Sequence, residues 1–182
     1  CNQGCKLRYT LKQIDSFTVV KNGSHLLLKN LMINGKPIEN RRQNYLVTYN
    51  GATENSSYSA THYYLNSIAI NIPGTVYHGG RLSSGDYSLI FKGVGNDILV
   101  LVIPFKREGG HHDSEVNEID IDFFNAIKNA LPLVLATNHT DNVKVKSWSP
   151  NMLFPRKNDQ SGKDHSFYSF VSPYNPHICY IV

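Results

Sequence analysis

The stretch Tyr63-Tyr64-Leu65-Asn66-Ser67-Ile68-Ala69-Ile70-Asn71-Ile72-Pro73 decides how this chain is to be read. In an extended strand alternate side chains point to opposite faces, so positions 69 and 71 share one face. That spacing is how a strand presents a pair of ligands. Here the pair is an alanine and an asparagine.

Outward from this stretch, short β-rich runs are separated by Gly, Asn and Ser. They are Phe17 to Val20, His25 to Leu28, Tyr45 to Tyr49, Tyr87 to Phe91, Ile98 to Phe105 and Val143 to Trp148. Gly93-Val94-Gly95 reads as a hairpin turn, being too short for a phosphate loop. One segment departs from the pattern. Val116, Ile119, Phe123, Ile127 and Leu131 recur at spacings of three and four, and Asp113 or Ser114 stands where a helix cap belongs. The spacing predicts one amphipathic helix from about Glu115 to Ala130, its apolar stripe packed on a sheet. Asn50 to Ala60 and Pro155 to His165 read as exposed loops.

The chain has 182 residues, 41% of them hydrophobic, enough for one sizeable core, so a single domain over 1–182 is expected. Its abrupt ends at Cys1 and Val182 also suit a core fragment lacking both ends. The longest apolar runs, such as Ile98 to Phe105, fall well short of the roughly 20 residues that span a bilayer. No membrane span is expected in this chain, and no signal-peptide pattern opens it. A net charge of +4 with dispersed Lys and Arg permits an anionic partner without demanding one. No nucleic-acid partner is expected, and oligomeric state is not readable. The eleven tyrosines suit the pleats of an ordinary sheet better than an adhesive surface.

The quoted strand resembles the α-carbonic anhydrase strand Tyr-x-Leu-x-Gln-hydrophobic-His-hydrophobic-His, whose two histidines hold zinc. Ala69 and Asn71 stand at the histidine positions. Asp86-Tyr87-Ser88-Leu89-Ile90-Phe91 is similar to the family's Glu-x-His-Leu-Val-His, which supplies the third ligand, and Ser88 takes that place. Ile98 to Phe105 resembles the family's central hydrophobic strand. Met152-Leu153-Phe154-Pro155, Phe167-Tyr168-Ser169-Phe170 and Ser172-Pro173 resemble its Leu-Leu-Pro, Tyr-Tyr-x-Tyr and closing motifs. Cys1-Asn2-Gln3-Gly4 is similar to its Cys-x-x-Gly, but Leu7-Arg8-Tyr9-Thr10 does not reproduce the motif that follows. No pair of threonines stands where the family orients a zinc-bound hydroxide, and Thr75 or a neighbour replaces the glutamate that fixes that threonine. Lys21-Asn22-Gly23-Ser24-His25 or Ile33-Asn34-Gly35-Lys36 matches the Asn-Gly-His turn that carries a proton-shuttling histidine. Only the first offers a histidine, His25, and little weight is placed on it.

The resemblance implies a mostly β, α+β fold: a central twisted, largely antiparallel sheet with one main helix near 115–130 and short peripheral helices. It also implies that the zinc site is lost. Catalytic zinc takes about three protein ligands and an open position for water. Alanine cannot ligate, and serine and a neutral amide are poor ligands for zinc. Ala69, Asn71 and Ser88 are therefore vestigial ligand positions. No catalytic residue, metal ligand or cofactor is expected, and the chain reads as no enzyme. His111-His112 and His78 read as loop and turn residues, and no Gly-x-Ser-x-Gly elbow occurs.

What remains is a binding or structural module whose partner is a protein or an anionic glycan. The alternative is an enzyme with a displaced metal site. Candidate anion-binding residues are Arg41, Arg42, Lys144 and Lys146. Lys144 and Lys146 share a strand face opposite Val143 and Val145. Candidate N-glycosylation sites are Asn22, Asn55 and Asn138, each opening an Asn-x-Ser/Thr triplet. They favour a secreted, cell-surface or virion setting, with an organellar assembly as another home. Cys1 and Cys5 pair with each other, or one pairs with Cys179, or all stay free buried thiols; the number alone does not choose.

Overall fold

Apolar alternation along the chain builds strands, and the strands build one large sheet. A computed structural model describes residues 6–23, 25–38, 45–49, 60–78, 80–93, 95–105, 123–130, 141–154 and 169–182. In chain order the strands are β1 (Lys6–Thr10), β2 (Ile14–Asn22), β3 (His25–Ile33), β4 (Lys36–Pro37), β5 (Tyr45–Tyr49), β6 (Ala60–Asn71) and β7 (Tyr77–His78). There follow β8 (Arg81–Leu82), β9 (Gly85–Lys92), β10 (Ile98–Phe105), β11 (Asp141–Trp148), β12 (Ser169–Val171) and β13 (Ile178–Ile181).

Among the described residues the sheet has 11 strands in the order β11-β2-β3-β6-β9-β10-β13-β12. β5 joins β6 as a branch, β1 extends β5, and β4 lies on β3. Neighbours run antiparallel except β10 and β13, which are parallel. β7 and β8 form a separate ribbon. All the runs expected as strands lie in this set, with β1, β4, β7, β8, β12 and β13 in addition.

The register shows why the middle of the sheet is so apolar. Val19, Leu28, Ile68, Leu89, Leu101 and Ile181 stand in one row across β2, β3, β6, β9, β10 and β13. All are buried, as Val-, Leu- and Ile-rich strands covered on a face must be. The next row, Leu27, Ala69, Ser88 and Val102, points to the opposite face and is buried too. The central strands are therefore covered on both faces.

A helix, α1, occupies residues 123–130. The first part of the expected helix, with Val116 and Ile119, lies outside the described residues. Phe123, Ile127 and Ala130, three and four apart, are all buried. The Phe123 ring stacks on Trp148 with centroids 3.8 Å apart and meets the edge of Phe17 at 5.8 Å. Burial of each large side chain of this kind stabilises by about 1.5–3 kcal/mol. α1 thus seals the face that carries Val19 and Leu28 and leaves the face of Ala69 and Ser88 to other contacts. A short 3-10 turn, Pro150–Leu153, follows β11, with Ser149 capping it by accepting from the Asn151 N–H. Cys179 on β13 is disulfide-bonded, which sets aside the free-thiol reading for that residue.

Candidate functional site

β6 and β9 lie side by side, and their register sets Ala69 opposite Ser88 and Asn71 opposite Asp86. Residues directly opposite on paired strands share a face. The positions singled out in the sequence thus form a square whose fourth corner is Asp86. In sequence Asp86 is only the first residue of the second motif; the pairing makes it the hub.

Asp86 has no exposed surface. Its Oδ1 accepts from Asn71 Nδ2 at 2.5 Å and from Ser88 Oγ at 3.3 Å. Its Oδ2 accepts from the Thr75 backbone N–H at 2.5 Å and from Thr75 Oγ1 at 2.8 Å. Asn71 Nδ2 also donates to Ser88 Oγ at 3.3 Å, closing a triangle. A carboxylate has about four lone-pair positions, and here each meets a donor. Burying an ionised carboxylate is costly unless it is hydrogen-bonded, and hydrogen bonds to a charged acceptor are about twice as strong as neutral ones. Each side chain that reaches Asp86 among the described residues is neutral.

Local sequence explains how Thr75 gets there. The chain leaves β6 through Ile72-Pro73-Gly74, and this loop is held by Gly74 N–H to Ser83 carbonyl and Ser83 N–H to Val76 carbonyl at 3.1 and 3.0 Å. A Cβ on Gly85, at the start of β9, would lie 2.2 Å from the Phe105 ring and 2.9 Å from the Asn71 carbonyl oxygen. Only glycine lets β9 begin so close to the end of β6. Thr75, which the sequence offers together with its neighbours as a replacement for a family glutamate, contacts the carboxylate through both backbone and hydroxyl.

The residues present do not fit zinc. Ala69 offers no donor atom, Asn71 aims its amide hydrogens at Asp86 and Ser88, and the oxygens of Asp86 are engaged by hydrogen bonds. Among the described residues, no three of His, Cys, Asp and Glu come together as a metal-holding group.

His25, given little weight in the sequence, stands in register with Asn71 on one side and Asn22 on the other. The row Asn22, His25, Asn71, Asp86, Pro104 crosses β2, β3, β6, β9 and β10 on the site's face. The signal that could have found it was the distance along the chain from a two-residue turn, since hairpin length fixes register.

Lys144 is exposed on β11 opposite Ser16, between the buried Val143 and Val145. Lys146 lies on β11 with its side chain outside the described residues, and Arg41 and Arg42 lie outside them altogether. Asn22 is exposed at the end of β2. Asn55, Asn138, His111 and His112 fall outside the described residues. His78 is not the turn residue expected: it pairs with Arg81 in the β7–β8 ribbon, and the reversal falls just after it, where Gly80 adopts a φ of 76°. No helix among the described residues is long and apolar enough to cross a membrane.

No protein-family model matches this sequence, and no curated protein matches it. Solved structures do. An α-carbonic anhydrase of Photobacterium profundum superposes with a TM-score of 0.55 at 15% identity, covering 97% of this chain and 64% of that one. The carbonic anhydrase Cah3 of Chlamydomonas reinhardtii, solved with acetazolamide, gives 0.57 at 15% identity over 97% and 63%. Dioscorin, solved with ascorbate, gives 0.53 at 16% identity over 99% and 62%. The chain spans under two thirds of the length of these structures, and identity this low speaks to fold alone. Sheet, register and superposition agree: this chain has an α-carbonic-anhydrase-like fold, and its candidate site is a buried, hydrogen-bonded carboxylate.

Proposed function

We propose that this chain is a non-enzymatic carbonic-anhydrase-like module, serving as a binding or structural subunit, either in a protein assembly or by binding an anionic glycan at a surface. The observation that supports this reading is the Asp86 network. Asn71 and Ser88, at two of the vestigial ligand positions, spend their polar atoms on one another and on Asp86, and Ala69 has none to offer. A site so arranged is built for stability of the sheet, not for polarising a water molecule.

Carbon dioxide hydration with and without a chelator tests the first half. The proposal expects the uncatalysed rate in both; turnover that chelation abolishes contradicts it. Retention on heparin or chondroitin sulfate at low salt tests the glycan half, since contacts to anionic polymers are salt-sensitive. Neutralising Arg41, Arg42, Lys144 and Lys146 together should abolish retention. Absence of retention at low salt contradicts glycan binding and leaves the protein-assembly role.

A further inference from the structure

We infer that Asn22 is an N-glycan acceptor. The sequence puts it at the head of Asn22-Gly23-Ser24, the triplet that oligosaccharyl transfer requires. Such a triplet arises by chance in an Asn-rich chain, so the weight falls on two structural observations of different kinds.

The first is where the fold leaves the residue. Asn22 ends β2 and pairs with His25, which opens β3, so the triplet begins where β2 ends. Gly23 takes a φ of 60°, which glycine supplies without strain. The Asn22 side chain is exposed and makes no hydrogen bond with the described residues, so its amide nitrogen is free to carry a substituent. Asn71 shows the contrast: its amide is buried and committed to Asp86 and Ser88.

The second is Cys179, which is disulfide-bonded. Disulfides form and persist in oxidising compartments, including the lumen where glycan transfer takes place. An exposed acceptor asparagine at the end of β2 and a disulfide on β13, in separate parts of the sheet, point to the same environment. The transfer uses a lipid-pyrophosphate-linked oligosaccharide: a bond forms between Asn22 Nδ2 and the sugar C1 as the C1–O bond to the pyrophosphate breaks. The amide gives up one proton, and the lipid pyrophosphate leaves.

The register gives the glycan a place. Asn22, His25 and Asn71 stand in one row on neighbouring strands and share a face, so Asn22 is two strand spacings, roughly 10 Å, from Asn71. A glycan on Asn22 rises from the edge of the face that carries Asp86, where it obstructs a macromolecular partner. A protein partner then docks elsewhere on the sheet. This inference stands apart from the proposed function, since a glycosylated enzyme would show it equally.

The test is expression of the chain into the secretory pathway of a eukaryotic cell, with mass spectrometry of the Asn22 peptide before and after enzymatic glycan release. The expected result is a glycopeptide that release converts to aspartate at position 22. Ser24→Ala should remove this glycan and Ser24→Thr should keep it, while Asn22→Gln removes it by a different route. Since Ser24→Thr restores the triplet on the same backbone, loss through misfolding would not reproduce this pattern. Secreted protein whose Asn22 peptide is unmodified overturns the inference, as does a Cys179 found as a free thiol in that protein.

Discussion

Asn71 and Asp86 face one another across β6 and β9, and the amide nitrogen of Asn71 lies 2.5 Å from Oδ1 of a carboxylate that has no exposed surface. A buried carboxylate tolerates this position only while its donors stay in place. Removing one leaves the charge under-satisfied, at a cost of about 1–3 kcal/mol. Asn71→Ala and Asp86→Ala should each destabilise by at least that much. Because each removes the same bond, a double-mutant cycle in urea should give a coupling energy of about 0.5–3 kcal/mol. Strictly additive losses would contradict the network.

The closeness of β6 and β9 at this end depends on Gly85. Its added Cβ would press on the Phe105 ring and on the carbonyl oxygen of Asn71, and backbone cannot swing away. Gly85→Ala should therefore cost about 1–3 kcal/mol in thermal or denaturant unfolding. Wild-type stability in this variant would mean that the strands have room the structure does not show.

α1 is fixed by an aromatic stack, and the stack contains the chain's only tryptophan. Phe123→Ala should destabilise by about 3–5 kcal/mol and move the Trp148 emission to longer wavelength as water reaches the indole. Lys144→Ala, on the exposed side of β11, should change stability by less than about 0.5 kcal/mol. An unshifted emission in Phe123→Ala would contradict the packing of α1 on β11.

Cys179 lies on β13, a strand of only four residues, which follows the two-residue turn after Asn175. A cross-link there narrows the unfolded ensemble. Cys179→Ser, or reduction of the wild type, should lower stability by about 2–4 kcal/mol. Equal unfolding midpoints with and without reductant would show that the bond contributes nothing.

The fold was legible in the sequence where its cause is local. Tyr45 to Tyr49 and Ile98 to Phe105 are strands with the bounds that the sequence suggests, and the α1 stripe shows in the spacing of Phe123 and Ile127. β13 was not legible, because Ile178–Ile181 is too short to show alternation and is held by parallel pairing with a strand some eighty residues earlier, which no local pattern encodes. β7 and β8 were missed for the same reason of length. At the site, the resemblance singles out Ala69, Asn71 and Ser88 one by one. What they do together was not legible, because Asp86 becomes their partner only through cross-strand register. A single acidic residue opening an apolar run was the signal, since Asp is seldom buried unless it is paired or hydrogen-bonded.

The central proposal is that hydrogen bonds to Asp86 stand where the resemblance places metal ligands, at Ala69, Asn71 and Ser88. Titration of the purified, metal-stripped chain with zinc, followed by native mass spectrometry, tests it most directly. The account predicts no stoichiometric zinc adduct and an unfolding temperature that neither zinc nor chelator moves. One zinc per chain, with a rise in unfolding temperature that chelation reverses and that Asn71→Ala or Ser88→Ala abolishes, would contradict it.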